Sequence, residues 1–125
     1  MELYVGGCCQ GKLDYVLKKL GREAVIADGE TYPLDCPEQA DVLNHFHLLV
    51  RRLAAGGRDI SGYANEIAAK NPRIVIICDE VGMGIVPEDA FERRYREAVG
   101  RCCCMLAEQA GHVERIVCGR GMVLK

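Results

Sequence analysis

Two unbroken apolar runs set the frame for this chain. Ile74-Val75-Ile76-Ile77-Cys78 and Ala24-Val25-Ile26-Ala27 contain no polar residue, so neither presents a side suited to water. A strand of that kind has to be covered on both faces, as it is inside a parallel sheet with helices packed above and below. Both runs end in acids, the second at Asp28 and the first at Asp79-Glu80. Three further strands are expected: one over Glu2 to Val5, and a pair over Val113 to Cys118 and Met122 to Leu124 around Gly119-Arg120-Gly121.

The segments between these strands carry helical spacing. Leu13, Val16, Leu17 and Leu20 predict a helix from Lys12 to Leu20. Val42, Leu43, Phe46, Leu49, Val50 and Leu53 fall on one stripe, which predicts a single amphipathic helix from Glu38 to Ala55, stopped by Gly56-Gly57. A shorter helix is expected from Ile60 to Lys70. Pro87 then opens a long one that reaches about Ala110 and turns Tyr95, Val99, Cys102 and Leu106 inward. This alternation predicts an α/β fold, a mostly parallel sheet flanked by helices in a three-layer sandwich. The 125 residues suffice for a single domain, 1–125.

Composition narrows the function. Sixteen Lys and Arg against eighteen Asp and Glu give a net charge of −2, which lacks the positive field that nucleic-acid backbones require. No run of about 18 apolar residues is present, so membrane insertion is not expected, and a cytoplasmic location is. The eight cysteines include the adjacent Cys8-Cys9 and Cys102-Cys103-Cys104, where ordinary disulfide geometry is hard to reach, and no C-x-x-C pair occurs. One serine, Ser61, and one threonine, Thr31, leave no serine-hydrolase triad. His45 and His47, placed on the predicted helix, would point about 200° apart and share no metal; they and His112 receive no role.

The segment with chemical content is Gly6-Gly7-Cys8-Cys9-Gln10-Gly11-Lys12, which fits the phosphate-loop pattern G-x-x-x-x-G-K and lies between a predicted strand and a predicted helix. In such a loop, backbone N–H groups and the helix N-terminus face the phosphates and the lysine neutralises them. The next position ordinarily carries a hydroxyl for Mg²⁺, and here it is Leu13. The expected nucleotide-binding set is therefore Gly6, Gly7, Cys8, Cys9, Gln10, Gly11, Lys12 and Leu13, with GTP or ATP as ligand. Asp28 and Asp79 stand at strand ends where carboxylates can hold Mg²⁺, and Glu80 is the expected catalytic partner of Lys12.

The string Asp79-Glu80-Val81-Gly82-Met83-Gly84-Ile85-Val86-Pro87-Glu88 resembles the adenosylcobinamide kinase / adenosylcobinamide-phosphate guanylyltransferase family of cobalamin biosynthesis. Gly6 through Lys12 resembles the family's phosphate loop, and Gly100-Arg101 and Val117 through Lys125 resemble its final helix and tail. The resemblance implies a P-loop NTPase-like fold, phosphorylation of the aminopropanol hydroxyl of a corrinoid, adenosylcobinamide, by a nucleoside triphosphate, and a homo-oligomer, a trimer. Two departures stand out: Leu13 replaces the family's serine, and the segment with the family's guanylylated histidine is missing, since only Gly21-Arg22-Glu23 separates helix from strand. Without that nucleophile guanylyl transfer is not expected, and kinase chemistry is weakened. The alternative is a non-catalytic nucleotide- or corrinoid-sensing subunit with a relic loop.

Overall fold

The computed structural model describes residues 1–125. Six strands form one sheet: β1 (Glu2–Gly6), β2 (Ile26–Asp28), β3 (Val42–Asn44), β4 (Val75–Asp79), β5 (His112–Val117) and β6 (Arg120–Val123). Four helices connect them: α1 (Lys12–Leu20), α2 (Phe46–Ala55), α3 (Ile60–Lys70) and α4 (Ala90–Gln109). The order across the sheet is β2-β3-β4-β1-β5-β6, parallel throughout except for the antiparallel β5–β6 pair at the edge.

The alternation of side chains along each strand divides the interior in two. Leu3, Leu43, Ile74, Ile76, Cys78 and Val113 point to one face and meet α2, α3 and α4, with Tyr95, Val99, Cys102 and Leu106 of α4 buried there as their spacing predicts. Tyr4, Val42, Val75, Ile77 and Ile116 point to the other face and meet Val16 of α1. The three-layer α/β sandwich expected from the sequence is the fold observed, with α1 alone on its face. No helix is long and apolar enough to cross a membrane.

Three boundaries depart from the sequence reading. The helix expected over Glu38–Ala55 begins only at Phe46, and Val42–Asn44 is a parallel strand between β2 and β4. Its apolar residues fall in phase with the helical stripe that follows, so spacing could not separate them. The run ending at Asp28, expected to be buried, is an edge strand of three residues, with Ile26 45% exposed. The long helix begins at Ala90, after Asp89 caps it by accepting from the Glu92 N–H, and not at Pro87.

Candidate functional site

β1 lies at the middle of the sheet, and the chain leaves it toward α1 on one face, whereas it leaves the adjacent β4 toward α4 on the other. The carboxyl ends of β1 and β4 therefore open onto a crevice at a switch point, the place where open α/β sheets bind ligands. Gly6 pairs with Asp79 in the parallel register there. A β-carbon on Gly6 would lie 2.4 Å from the Ile116 carbonyl oxygen, so the close passage of β1 along β5 depends on glycine.

Beyond Gly6 the chain turns through Cys9 and Gly11, both left-handed at φ 57° and 75°, into α1. The loop is braced from behind by the β5–β6 hairpin. The Cys118 N–H donates to Gln10 Oε1 at 2.6 Å, and the Gly119 N–H donates to the Gln10 carbonyl at 2.9 Å. Cys118 and Gly119 are themselves left-handed, at φ 49° and 68°, as a two-residue type I′ turn requires. No side chain caps α1, so its first amides are free to face an anion.

Lys12 folds back into this loop. Its Nζ lies 2.7 Å from Asp79 Oδ1 and donates to the Gly7 carbonyl at 2.7 Å, which leaves the residue only 7% exposed. Asp79 also receives His47: its N–H donates to His47 Nδ1 at 3.3 Å, and Oδ2 lies 3.8 Å from Nε2. Burial pushes the His47 imidazole below its ordinary value, against the opposing pull of Asp79. A cleft of about 320 Å³ opens over the loop, lined among others by Cys8, Cys9, Lys12, Leu13, His45 and Asp79.

The histidines are where sequence reasoning failed. His45 is not on α2 but precedes it, in the left-handed conformation at φ 52°, so the rotation of about 200° expected for a helical pair does not apply. The His45 and His47 rings meet edge to face with centroids 5.8 Å apart. His45 Nδ1 lies 2.8 Å from Asp28 Oδ2, and the Glu30 N–H donates to Asp28 Oδ1 at 2.9 Å. Partial burial opposes ionisation of Asp28, yet the Glu30 amide and His45 outweigh it and hold the carboxyl below the ordinary range. His112 also has a partner that period-two spacing could have disclosed, with Nε2 2.8 Å from Glu114 Oε2.

The expected acids separate. Asp79 stands in the cleft, Asp28 stands at its rim with both oxygens engaged, and Glu80 pairs with Arg115 Nη2 at 3.0 Å and lines a neighbouring, more apolar cavity with Met83 and Cys103. Leu13 offers no side-chain oxygen, and no three His, Cys, Asp or Glu side chains converge to hold a metal ion. The protein's own residues thus do not fit a built Mg²⁺ site.

A mostly parallel sheet whose central strand feeds a glycine loop and a helix N-terminus at a switch point places the chain among α/β proteins of the P-loop NTPase type. Residues 41–124 match the cobinamide kinase / cobinamide phosphate guanyltransferase family, and the chain belongs to that family. It is 42% identical over 53 residues to the bifunctional adenosylcobalamin biosynthesis protein CobU of Escherichia coli (strain K12) and, at the same identity and length, to that of Salmonella typhimurium (strain LT2). Those 53 residues are 42% of this chain and 29% of each relative's length. The matched family range begins beyond the 6–12 loop.

Proposed function

We propose that the chain acts in cobalamin biosynthesis as a nucleoside-triphosphate-dependent phosphotransferase directed at the hydroxyl of a cobinamide-type corrinoid. The observation that carries this reading is the position of Lys12, drawn into a glycine loop at the sheet's switch point and held there by Asp79. A triphosphate entering the cleft would offer Lys12 oxygens in place of the Gly7 carbonyl, and the free amides at the start of α1 would complete the cradle. Family membership supplies the acceptor class. Guanylyl transfer is not part of the proposal, because the connection from α1 to β2 is only residues 21–25 and carries no histidine.

Mg²⁺ in this reading arrives with the nucleotide, and no step is assigned to a protein-held ion. A second reading is favoured by one residue: Leu13 removes the loop hydroxyl, which suits a subunit that binds nucleotide or corrinoid without turnover. Assembly into a homo-oligomer, a trimer by family resemblance, has as its support the exposed apolar Met122 and Val123 of the edge strand β6 and Leu124 just after it.

The test is calorimetric titration of the reduced protein with ATP, GTP and GDP, with and without Mg²⁺, beside Lys12→Ala. Saturable triphosphate binding that weakens at least ~10-fold in the variant is the expected result. Absence of binding to folded protein at millimolar ligand removes the nucleotide reading. Binding followed by no phosphorylation of adenosylcobinamide selects the sensing subunit.

A further inference from the structure

We infer that Asp28 and His45 form a base dyad at the rim of the cleft, His45 accepting the proton of the acceptor hydroxyl and Asp28 fixing the imidazole for that task; the inference rests on the phosphotransferase reading above.

The dyad is built by the sheet. Asp28 and Asn44 are partners in the parallel β2–β3 register, so the residue after Asn44 emerges beside the end of β2. There the two chains are locked together: the Gly29 N–H donates to the Asn44 carbonyl at 2.8 Å, and a β-carbon on Gly29 would lie 2.1 Å from the His45 carbonyl oxygen. His45 is a non-glycine residue held at φ 52°, ψ 42°, a conformation with a steric penalty that surrounding structure must sustain. Such outliers gather where a side chain has to be aimed. In that conformation the imidazole lines the cleft over the loop, with its ring against that of His47 at the start of α2.

The aim is chemically specific. An ionised Asp28 only accepts, so it selects the tautomer with hydrogen on Nδ1 and leaves the Nε2 lone pair as the acceptor. The ring remains 44% exposed and lines the same cleft as Lys12 and Cys8. The charged and titratable groups that face it or share its cleft are Asp28 from β2, His47 from α2, Asp79 from β4, Cys8 and Cys9 from the loop, and Lys12 and Asp14 at the start of α1. Asn44 completes the surround: its amide nitrogen is a donor, so in this tautomer it meets only Nε2, at 3.4 Å, a long contact that the acceptor hydroxyl would displace. Glu80 is occupied by Arg115, outside this cleft, so His45 is better placed than Glu80 to serve as base.

In the step assigned to the dyad, the acceptor O–H bond breaks and its proton passes to His45 Nε2. The oxygen's electron pair forms the new O–P bond to the γ-phosphorus, and the bond from that phosphorus to the bridging oxygen breaks, its pair leaving on the nucleoside diphosphate. Imidazolium charge is then balanced by Asp28.

The test combines kinetics with a tautomer measurement on the whole chain. His45→Gln is expected to lower kcat for phosphorylation of adenosylcobinamide by ~100-fold or more, while the Kd for triphosphate changes less than about threefold. Asp28→Asn is expected to lower kcat with the same pattern. Nitrogen-15 NMR of the imidazoles should show the Nδ1–H tautomer for His45 in the wild type and a mixture in Asp28→Asn. Equal kcat in wild type and His45→Gln overturns the dyad and leaves the phosphotransferase reading standing. An Nε2–H tautomer in the wild type overturns it whether or not the protein turns over. A wild type that binds triphosphate and transfers nothing overturns the phosphotransferase reading, and the dyad with it.

Discussion

Lys12 and Asp79 are joined at 2.7 Å across the junction of two parallel strands, with little of either side chain exposed. The pair ties the loop after β1 to the end of β4, and so couples the site to the sheet. Removing one member strands the other's charge. Asp79→Ala should therefore destabilise the fold by ~3 kcal/mol in urea titration, and millimolar inorganic triphosphate should recover part of that loss by returning negative charge to Lys12.

Leu13 occupies the position that the phosphate-loop pattern gives to a hydroxyl, and it also packs against the buried cluster around Val16. Leu13→Ser should lower stability by ~1 kcal/mol from lost burial. It should also make triphosphate binding several-fold tighter with Mg²⁺ than without. Equal affinities with and without the ion would show that position 13 does not face the metal.

On the α1 face, Glu114 is buried and gathers Lys19 at 2.7 Å, Tyr15 at 2.5 Å and His112 at 2.8 Å. Burial raises its carboxyl, but these three partners prevail and bring it down to about 2. A carboxyl lowered on folding stabilises the native state above its unfolded value, near 4.5, and loses that contribution as pH falls toward 2. Thermal melts should show stability falling by on the order of 2 kcal/mol across that window, and Glu114→Gln should flatten this limb while lowering stability at pH 7.

Gly29 has no room for a β-carbon, since His45 O, His45 C and Leu49 N lie 2.1, 2.8 and 3.1 Å from where it would stand. Gly29→Ala should displace the start of α2 and lower stability by ~1–3 kcal/mol. The His45 imidazole resonances should shift far more than those of His112, which lies at the other end of the sheet's strands.

Much of this architecture is written plainly in the residues. The run from Ile74 to Cys78 is apolar on both sides because both sides are covered, while Gly6 allows β1 to pass close to β5 and Gly11 supplies the left-handed step into α1. β3 was illegible for a definite reason: it is three residues long, and Val42, Leu43 and Phe46 keep helical phase with Leu49 and Leu53. The loss of that strand carried the histidines with it. Placed on a helix, His45 and His47 diverge; placed across a strand end and a helix start, they meet. The Asp28–His45 contact depends on which strand neighbours β2, a fact of topology that no local spacing records. Glu80 shows the converse, since its strand-end position is as expected but its partner Arg115 comes from β5.

The place of β1 has a consequence for how the chain is made. It is translated before both of its sheet neighbours, β4 and β5, whose residues begin at Val75 and His112, and the bonds that brace its loop come from Cys118 and Gly119. Parallel pairings across such separations form slowly, after the chain between them has been closed into a loop. On the ribosome the glycine loop thus waits, with its strand unpartnered, until β4, β5 and the turn at Cys118 and Gly119 have emerged.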